Sequence, residues 1–213
     1  MSRVILQNKI SDELTSFING TIAGITLPND ITSIGDYAFA FCESLTNISI
    51  PDSVTDIGKG AFYYCSRLKN VNIPNGITAI KDSTFKCSRL ENINIPDTVT
   101  VFEREAFYYC NISSVNIPNG TRFVGILAFG SCRYLNNVVL PSSFTGIGNC
   151  AFEYCSSLNN LTIKAISPPN LGIEALEGTA SDLVIYVPSE SVETYKSASG
   201  WSAYSSRIQA IPA

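Results

Sequence analysis

The chain has 213 residues, of which 45% are apolar and only 15% charged, with a formal net charge of −4; an ordinary soluble domain carries roughly 25% charged residues. Its fourteen Lys and Arg are scattered, which leaves neither the basic stripe of a nucleic-acid binder nor the polybasic patch of a membrane-surface protein. No apolar run reaches the roughly 20 residues that cross a bilayer, and without a single histidine the commonest general base and zinc ligand is missing.

In chain order, Met1 to Lys9 holds no sustained apolar stretch and no small-residue cleavage site, so no signal peptide is read there. Ile10, Leu14, Phe17 and Ile18 then fall at the spacing of a short amphipathic helix, with Ser11 as N-cap and Asp12 and Glu13 in its first turn. Asn19-Gly20 closes it as a turn. Residues 1–21 are expected to cap an N-terminal edge, because an uncovered first strand presents unpaired backbone groups.

Beyond Ile25 and Leu27, the closing strand of an incomplete first copy, the chain repeats itself. Prolines recur at Pro28, Pro51, Pro74, Pro96, Pro118 and Pro141, at intervals of 22 or 23 residues. Eleven residues after each stands Phe39, Phe62, Phe85, Phe107, Phe129 or Phe152. Cys42, Cys65, Cys87, Cys110, Cys132 and Cys155 follow two or three residues later, and three aliphatic positions complete the unit P-x-x-(V/I)-T-x-I-G-x-x-A-F-x-x-C-x-x-L-x-x-I-x-I. Repeat three lacks a residue, read as missing before Cys87, and repeat four lacks one after Cys110.

The closing I-x-I alternates as a short strand with one buried face does, and the proline ends it because it has no N–H for the ladder. The A-F-x-x-C stretch reads as a single helical or 3₁₀ turn. One such unit cannot bury its own apolar side. Stacked copies can, with strands about 4.8 Å apart and seven of them forming a sheet roughly 30 Å long.

The motif I-P-x-x-V-T-x-I-G-x-x-A-F-x-x-C-x-x-L closely resembles the BspA-like (Treponema-type) leucine-rich repeats over about Ile22 to Ile163. The tail Leu183-Val-Ile-Tyr-Val-Pro188, with Tyr195, Trp201, Tyr204 and Ile208, resembles the unit that closes such arrays. The resemblance implies an α+β repeat solenoid: a curved leucine-rich-repeat array with short strands on one face and short helical or 3₁₀ turns, capped at both ends. The expected division is a cap over 1–21, repeats over 22–164 and a C-terminal capping unit over 165–213. It also implies a non-enzymatic adhesion or binding module, extracellular or at a bacterial cell surface. Some prophage-encoded repeat proteins look similar in their helical start and tail, so a structural or receptor-contact module of a larger particle is the alternative.

Two exposed ladders carry the functional expectation. Residues flanking the central aliphatic of each strand point away from the core, which gathers Asn47, Asn70, Asn92, Asn137 and Asn160 in one column and Asn72, Asn94 and Asn116 in the other. Together they form a neutral amide face suited to a protein or glycan ligand, unless the amides simply bond one another. The second ladder is aromatic, with Tyr63, Tyr64, Tyr108 and Tyr109 as its paired members; tyrosine suits interfaces, and packing along the solenoid edge is the structural alternative. The six repeat cysteines are expected to form a buried column of small thiols. Cys150 falls at a variable position, either as an incidental surface thiol or as a reactive one. No catalytic residue, metal ligand set or cofactor is read from the sequence, and neither nucleic-acid binding nor membrane insertion is expected.

Overall fold

The computed structural model describes residues 23–212, so the segment read as a helical cap over Ile10 to Ile18 lies outside it. The described chain winds into a parallel solenoid in which successive coils place Phe39, Phe62, Phe85, Phe107, Phe129, Phe152 and finally Leu176 in one column. A last turn through the C-terminal helical segment ends in the strand Ile208–Ala210, which pairs with Val184–Val187. Each coil has three sides.

The first side is the I-x-I strand, where Asn47 and Ser49 face outward and Ile48 is buried between them. These strands pair in parallel with one coil's shift, Gly24 to Asn47 to Asn70 and Ser114 to Asn137 to Asn160. The sheet is not the single run expected from the motif. It splits into three strands and five strands, and between them coil 3 contributes only an isolated bridge from Asn94 back to Asn72. The break falls where two successive coils are each one residue short, so their strands arrive out of step with the regular ladder.

The second side is a row of two-residue strands at the T-x-I positions, from Ser33–Ile34 and Asp56–Ile57 to Gly146–Ile147 and Asn170–Leu171. This ladder breaks elsewhere, between Ile57 and Ala79. Thr55, Thr100 and Thr145 reinforce it by donating their hydroxyls to the carbonyls of Thr32, Thr78 and Arg122 in the preceding coil.

The third side is the A-F-x-x-C stretch, wound but not helical. In coil 1 the N–H groups of Ala38, Ala40 and Cys42 donate three residues back, as a 3₁₀ turn requires, while those of Tyr37, Phe39 and Phe41 donate to the next coil at Lys59, Ala61 and Tyr63. Tyr37 and Phe41 sit at φ of 56° and 62°, in the left-handed region that ends any helix. The same alternation recurs in coils 2 to 6, down to Cys150, Phe152 and Tyr154 donating to Ile173, Ala175 and Glu177. This ladder crosses the gaps in the other two.

Inside, the six phenylalanine rings stack along the axis with centroids 5.3–5.6 Å apart and planes within 15°. Offset-stacked pairs at such spacing contribute about 0.5–1.5 kcal/mol each beyond their buried area. The coil pattern continues past Ile163: Asn170–Leu171 extends the second ladder and Leu176 takes the phenylalanine position. Beyond it, the helix Val192–Ser197 and the 3₁₀ segment Trp201–Arg207 bury Tyr195 and Trp201 edge to face. Tyr195 Oη donates to Ala165 O and Trp201 Nε1 to Pro169 O, both at 2.7 Å. Both polar handles are thus satisfied within the protein. Among the described residues no helix is long and apolar enough to cross a membrane.

Candidate functional site

The strand face presents its amides outward. Asn47, Asn70, Asn72, Asn92, Asn94, Asn116 and Asn137 are exposed and Asn160 half-buried. Among the described residues, none of these eight amides donates to another: Asn47 bonds Thr46 Oγ1 and Asn160 bonds Asn159 Oδ1, each one residue away. Asn72 alone has a structural duty, its amide donating to Ile50 O at 3.1 Å and accepting from Ile50 N. Asn70, Asn92, Asn94, Asn116 and Asn137 have no side-chain bond among the described residues, so a ligand would find their donors and acceptors unspent. At one end of this face a cleft of about 490 Å³ is lined by Asn29, Ser49, Ile50, Pro51, Asp52, Ser53 and Asn72. Ser53 Oγ is buried there with no hydrogen-bond partner among the described residues.

The aromatic ladder lies on the wound side. Tyr64 and Tyr109 occupy its left-handed column at φ of 59° and 61° and are exposed, whereas Tyr63 and Tyr108, one residue earlier, are half-buried. Phe41 meets Tyr63 edge to face at 5.2 Å. The two tyrosine pairs do not touch each other, because coil 3 places Lys86 and Cys87 between them. Lys86 Nζ lies 5.9 Å and 5.4 Å from the ring centroids of Tyr63 and Tyr108 and 2.6 Å from Glu105 Oε2. Burial works to raise the Glu105 pKa, but the Lys86 ammonium, with Arg104 beside it, holds the carboxyl below its usual range. Arg133 lies over Tyr109 at 5.7 Å, an arrangement that stabilises the cation.

The cysteine column differs from its expected membership at one position. Cys42, Cys65, Cys110, Cys132 and Cys155 are buried, but Cys87 is half-exposed. Cys87 has φ of 58° and donates its N–H to Tyr108 O, as Tyr64 does to Lys86 O, so it occupies the tyrosine column. Ser88 fills the buried place, its Oγ 3.4 Å from Cys110 Sγ. The missing residue of coil 3 therefore falls after this column, where coil 4 also lacks one. The thiols of Cys65, Cys110, Cys132 and Cys155 lie 3.0–3.2 Å from the carbonyls of Phe39, Phe85, Phe107 and Phe129 one coil back, placed to donate S–H bonds between coils. Burial pushes Cys42 up to about 11 and Cys155 to about 12, and raises Cys65, Cys110 and Cys132 well above the usual thiol range.

Cys150 is also half-exposed, and it forms a group that the sequence reading missed: its Sγ and the carboxylates of Glu153 and Glu174 lie within 4.8 Å of one another. The only signal would have been a Glu three residues after the cysteine and another one coil further on. Desolvation and then the neighbouring carboxylate charges raise the Cys150 pKa, which leaves it a poorly ionised thiol.

Comparison with known proteins follows the same lines. A model of the BspA type leucine rich repeat region matches in six copies over residues 9–135 and 100–199. A leucine-rich repeat protein from Bacteroides ovatus superposes with a TM-score of 0.59 at 26% identity, covering 78% of this chain and 53% of that one. The chain thus spans about half the length of that protein. The leucine rich repeat protein of T. pallidum gives a TM-score of 0.49 at 26% identity, covering 77% of this chain and 68% of its own. A leucine rich cell surface protein from Faecalibacterium prausnitzii gives 0.38 at 20%, with 78% and 69% covered. No curated protein matches the sequence.

Proposed function

Because this chain belongs to the BspA-type leucine-rich repeat family, we propose that it is a non-enzymatic recognition module that presents its asparagine strand face to a neutral, hydrogen-bonding protein or glycan ligand at a bacterial cell surface. Repeat modules of this family serve interaction and adhesion and are typically surface-associated; fold alone assigns no ligand. The observation that carries the reading is the set of exposed amides with no side-chain bond among the described residues, Asn70, Asn92, Asn94, Asn116 and Asn137, on adjacent coils of one face. A buried or mutually bonded amide ladder would serve packing. This one is left open to solvent, beside a polar cleft that includes Ser49 and Asn72 from the same face.

Neutral amides gain nothing from long-range attraction, so salt should hardly affect such a contact. The test is an array of glycans and extracellular-matrix proteins, with each hit titrated at about 0.05 M and about 0.5 M NaCl, where the Debye length falls from above 10 Å to a few ångströms. The expected result is a hit whose affinity changes less than about threefold. Hits that bind only at low salt would contradict the amide face as the contact.

A further inference from the structure

The corner between the wound side and the strand face carries charge of one sign. Arg67 in coil 2 and Arg89 in coil 3 each stand immediately before a buried leucine, Leu68 and Leu90. The bond from Glu91 N–H to Lys69 O sets the two coils in that register, so both guanidiniums leave the backbone from neighbouring positions about 5 Å apart. In coil 5, Arg133 occupies the same corner between Cys132 and Leu135. Tyr64 and Tyr109 border it from the wound side, 43% and 50% exposed. No acidic residue stands on the corner in coils 2 to 5. Beside the strip, Glu91 is engaged by Lys69 at 2.8 Å and Glu105 by Lys86 at 2.6 Å, while the exposed Glu43 after Cys42 ends the run of positive charge at coil 1. Among the described residues none of the three arginines forms an ion pair. A chain of net charge −4 thus keeps three uncompensated guanidiniums together.

We propose that this corner is a docking strip for an acidic segment of a partner protein. Each guanidinium offers a planar fork that matches a carboxylate with two parallel hydrogen bonds, and arginine with tyrosine is the pairing that dominates protein interfaces. Arg133 rests on the Tyr109 ring, so its geometry is partly set before a partner arrives, which lowers the cost of ordering it. The same contact covers one face of the Tyr109 ring, leaving the rest of its exposed surface to a partner. From coil 2 to coil 5 the strip runs about 15 Å, the length of four or five extended residues. The partner therefore carries two or three carboxylates within such a stretch. This surface is separate from the asparagine face and stands or falls independently of it.

The experiment measures fluorescence anisotropy of a labelled ten-residue peptide of alternating Glu and Gly, with polygalacturonate as a carbohydrate polyanion in a parallel arm. The corner variant is Arg67→Gln/Arg89→Gln/Arg133→Gln. A control of equal charge change, Lys59→Gln/Arg122→Gln/Lys164→Gln, removes three exposed cations that form no ion pair among the described residues. The expected result is binding at about 0.05 M salt that weakens as salt rises, is lost about tenfold in the corner variant and is unchanged in the control. Equal loss in both triple variants, no peptide binding by the wild type, or corner-dependent binding of polygalacturonate alone would each overturn the proposal.

Discussion

Seven cysteines in one chain divide by environment into two chemical classes. Cys42, Cys65, Cys110, Cys132 and Cys155 are buried thiols whose ionisation is pushed to high pH by desolvation, while Cys87 and Cys150 reach solvent. Only the thiolate reacts with an alkylating agent, so native protein near neutral pH is expected to label at Cys87 and Cys150 and at no third position until it unfolds. Mass spectrometry after a timed iodoacetamide pulse reads this directly. At Cys150 the sign of the charge effect is fixed: Glu153 and Glu174 raise its pKa, so Glu153→Gln/Glu174→Gln lowers it and speeds labelling severalfold at constant pH. A rate unchanged in that variant would show that the carboxylates do not act on the thiol. The burial of five thiols was legible in the 22–23-residue recurrence. The exception at Cys87 was not, because a one-residue deletion aligned by residue identity sets cysteine on cysteine, whereas the backbone aligns Cys87 with the tyrosines and Ser88 with the thiols.

At the scale of the element, the T-x-I-G corner is governed by the distance between coils. A Cβ added at Gly148 would lie 2.7 Å from the Gly125 carbonyl carbon and from Ile126 N, backbone atoms that cannot yield without moving a coil. Gly148→Ala is therefore expected to cost about 1–3 kcal/mol, the usual range for overpacking a tight site. Gly120→Ala, in an exposed turn where the new Cβ would meet nothing nearer than 3.7 Å, should leave stability nearly unchanged. Denaturant midpoints of the two variants compare them on one scale, and equal midpoints would refute tight coil contact as the role of Gly148. The glycine was visible in the motif, but the strand beside it was not. Two residues of strand, as at Asp56–Ile57, are too short to show alternation. The left-handed columns were hidden for a different reason: their backbone is shared while their side chains vary, from Tyr37 through Ser83, Glu105 and Leu127 to Cys150. Inter-coil hydrogen bonds hold that conformation where no single residue type prefers it.

Across the described molecule, two strand ladders with offset breaks and a third, unbroken ladder on the wound side hold one stack, so neither strand sheet must be continuous for the coils to stay in register. Each coil meets only its neighbours, which makes the solenoid a scaffold for surfaces rather than a container for a site. Its apolar columns were legible because phenylalanine, leucine and isoleucine recur by identity. The outward amides were legible from period-2 alternation alone. The arginine corner was not, since Arg67, Arg89 and Arg133 follow no motif and fall along one corner only once the short coils are placed. The claim that the strand face is the recognition surface is tested most directly by affinity for an array-identified ligand in two charge-neutral variants of the intact chain. One carries Asn70→Ala/Asn92→Ala/Asn94→Ala/Asn116→Ala, sparing Asn72 because its amide holds Ile50; the other carries Tyr63→Ser/Tyr64→Ser/Tyr108→Ser/Tyr109→Ser. With denaturation midpoints matched to wild type, the predicted result is a loss of at least about tenfold, or 1.4 kcal/mol, in the asparagine variant and little change in the tyrosine variant. Full binding by the asparagine variant would contradict it.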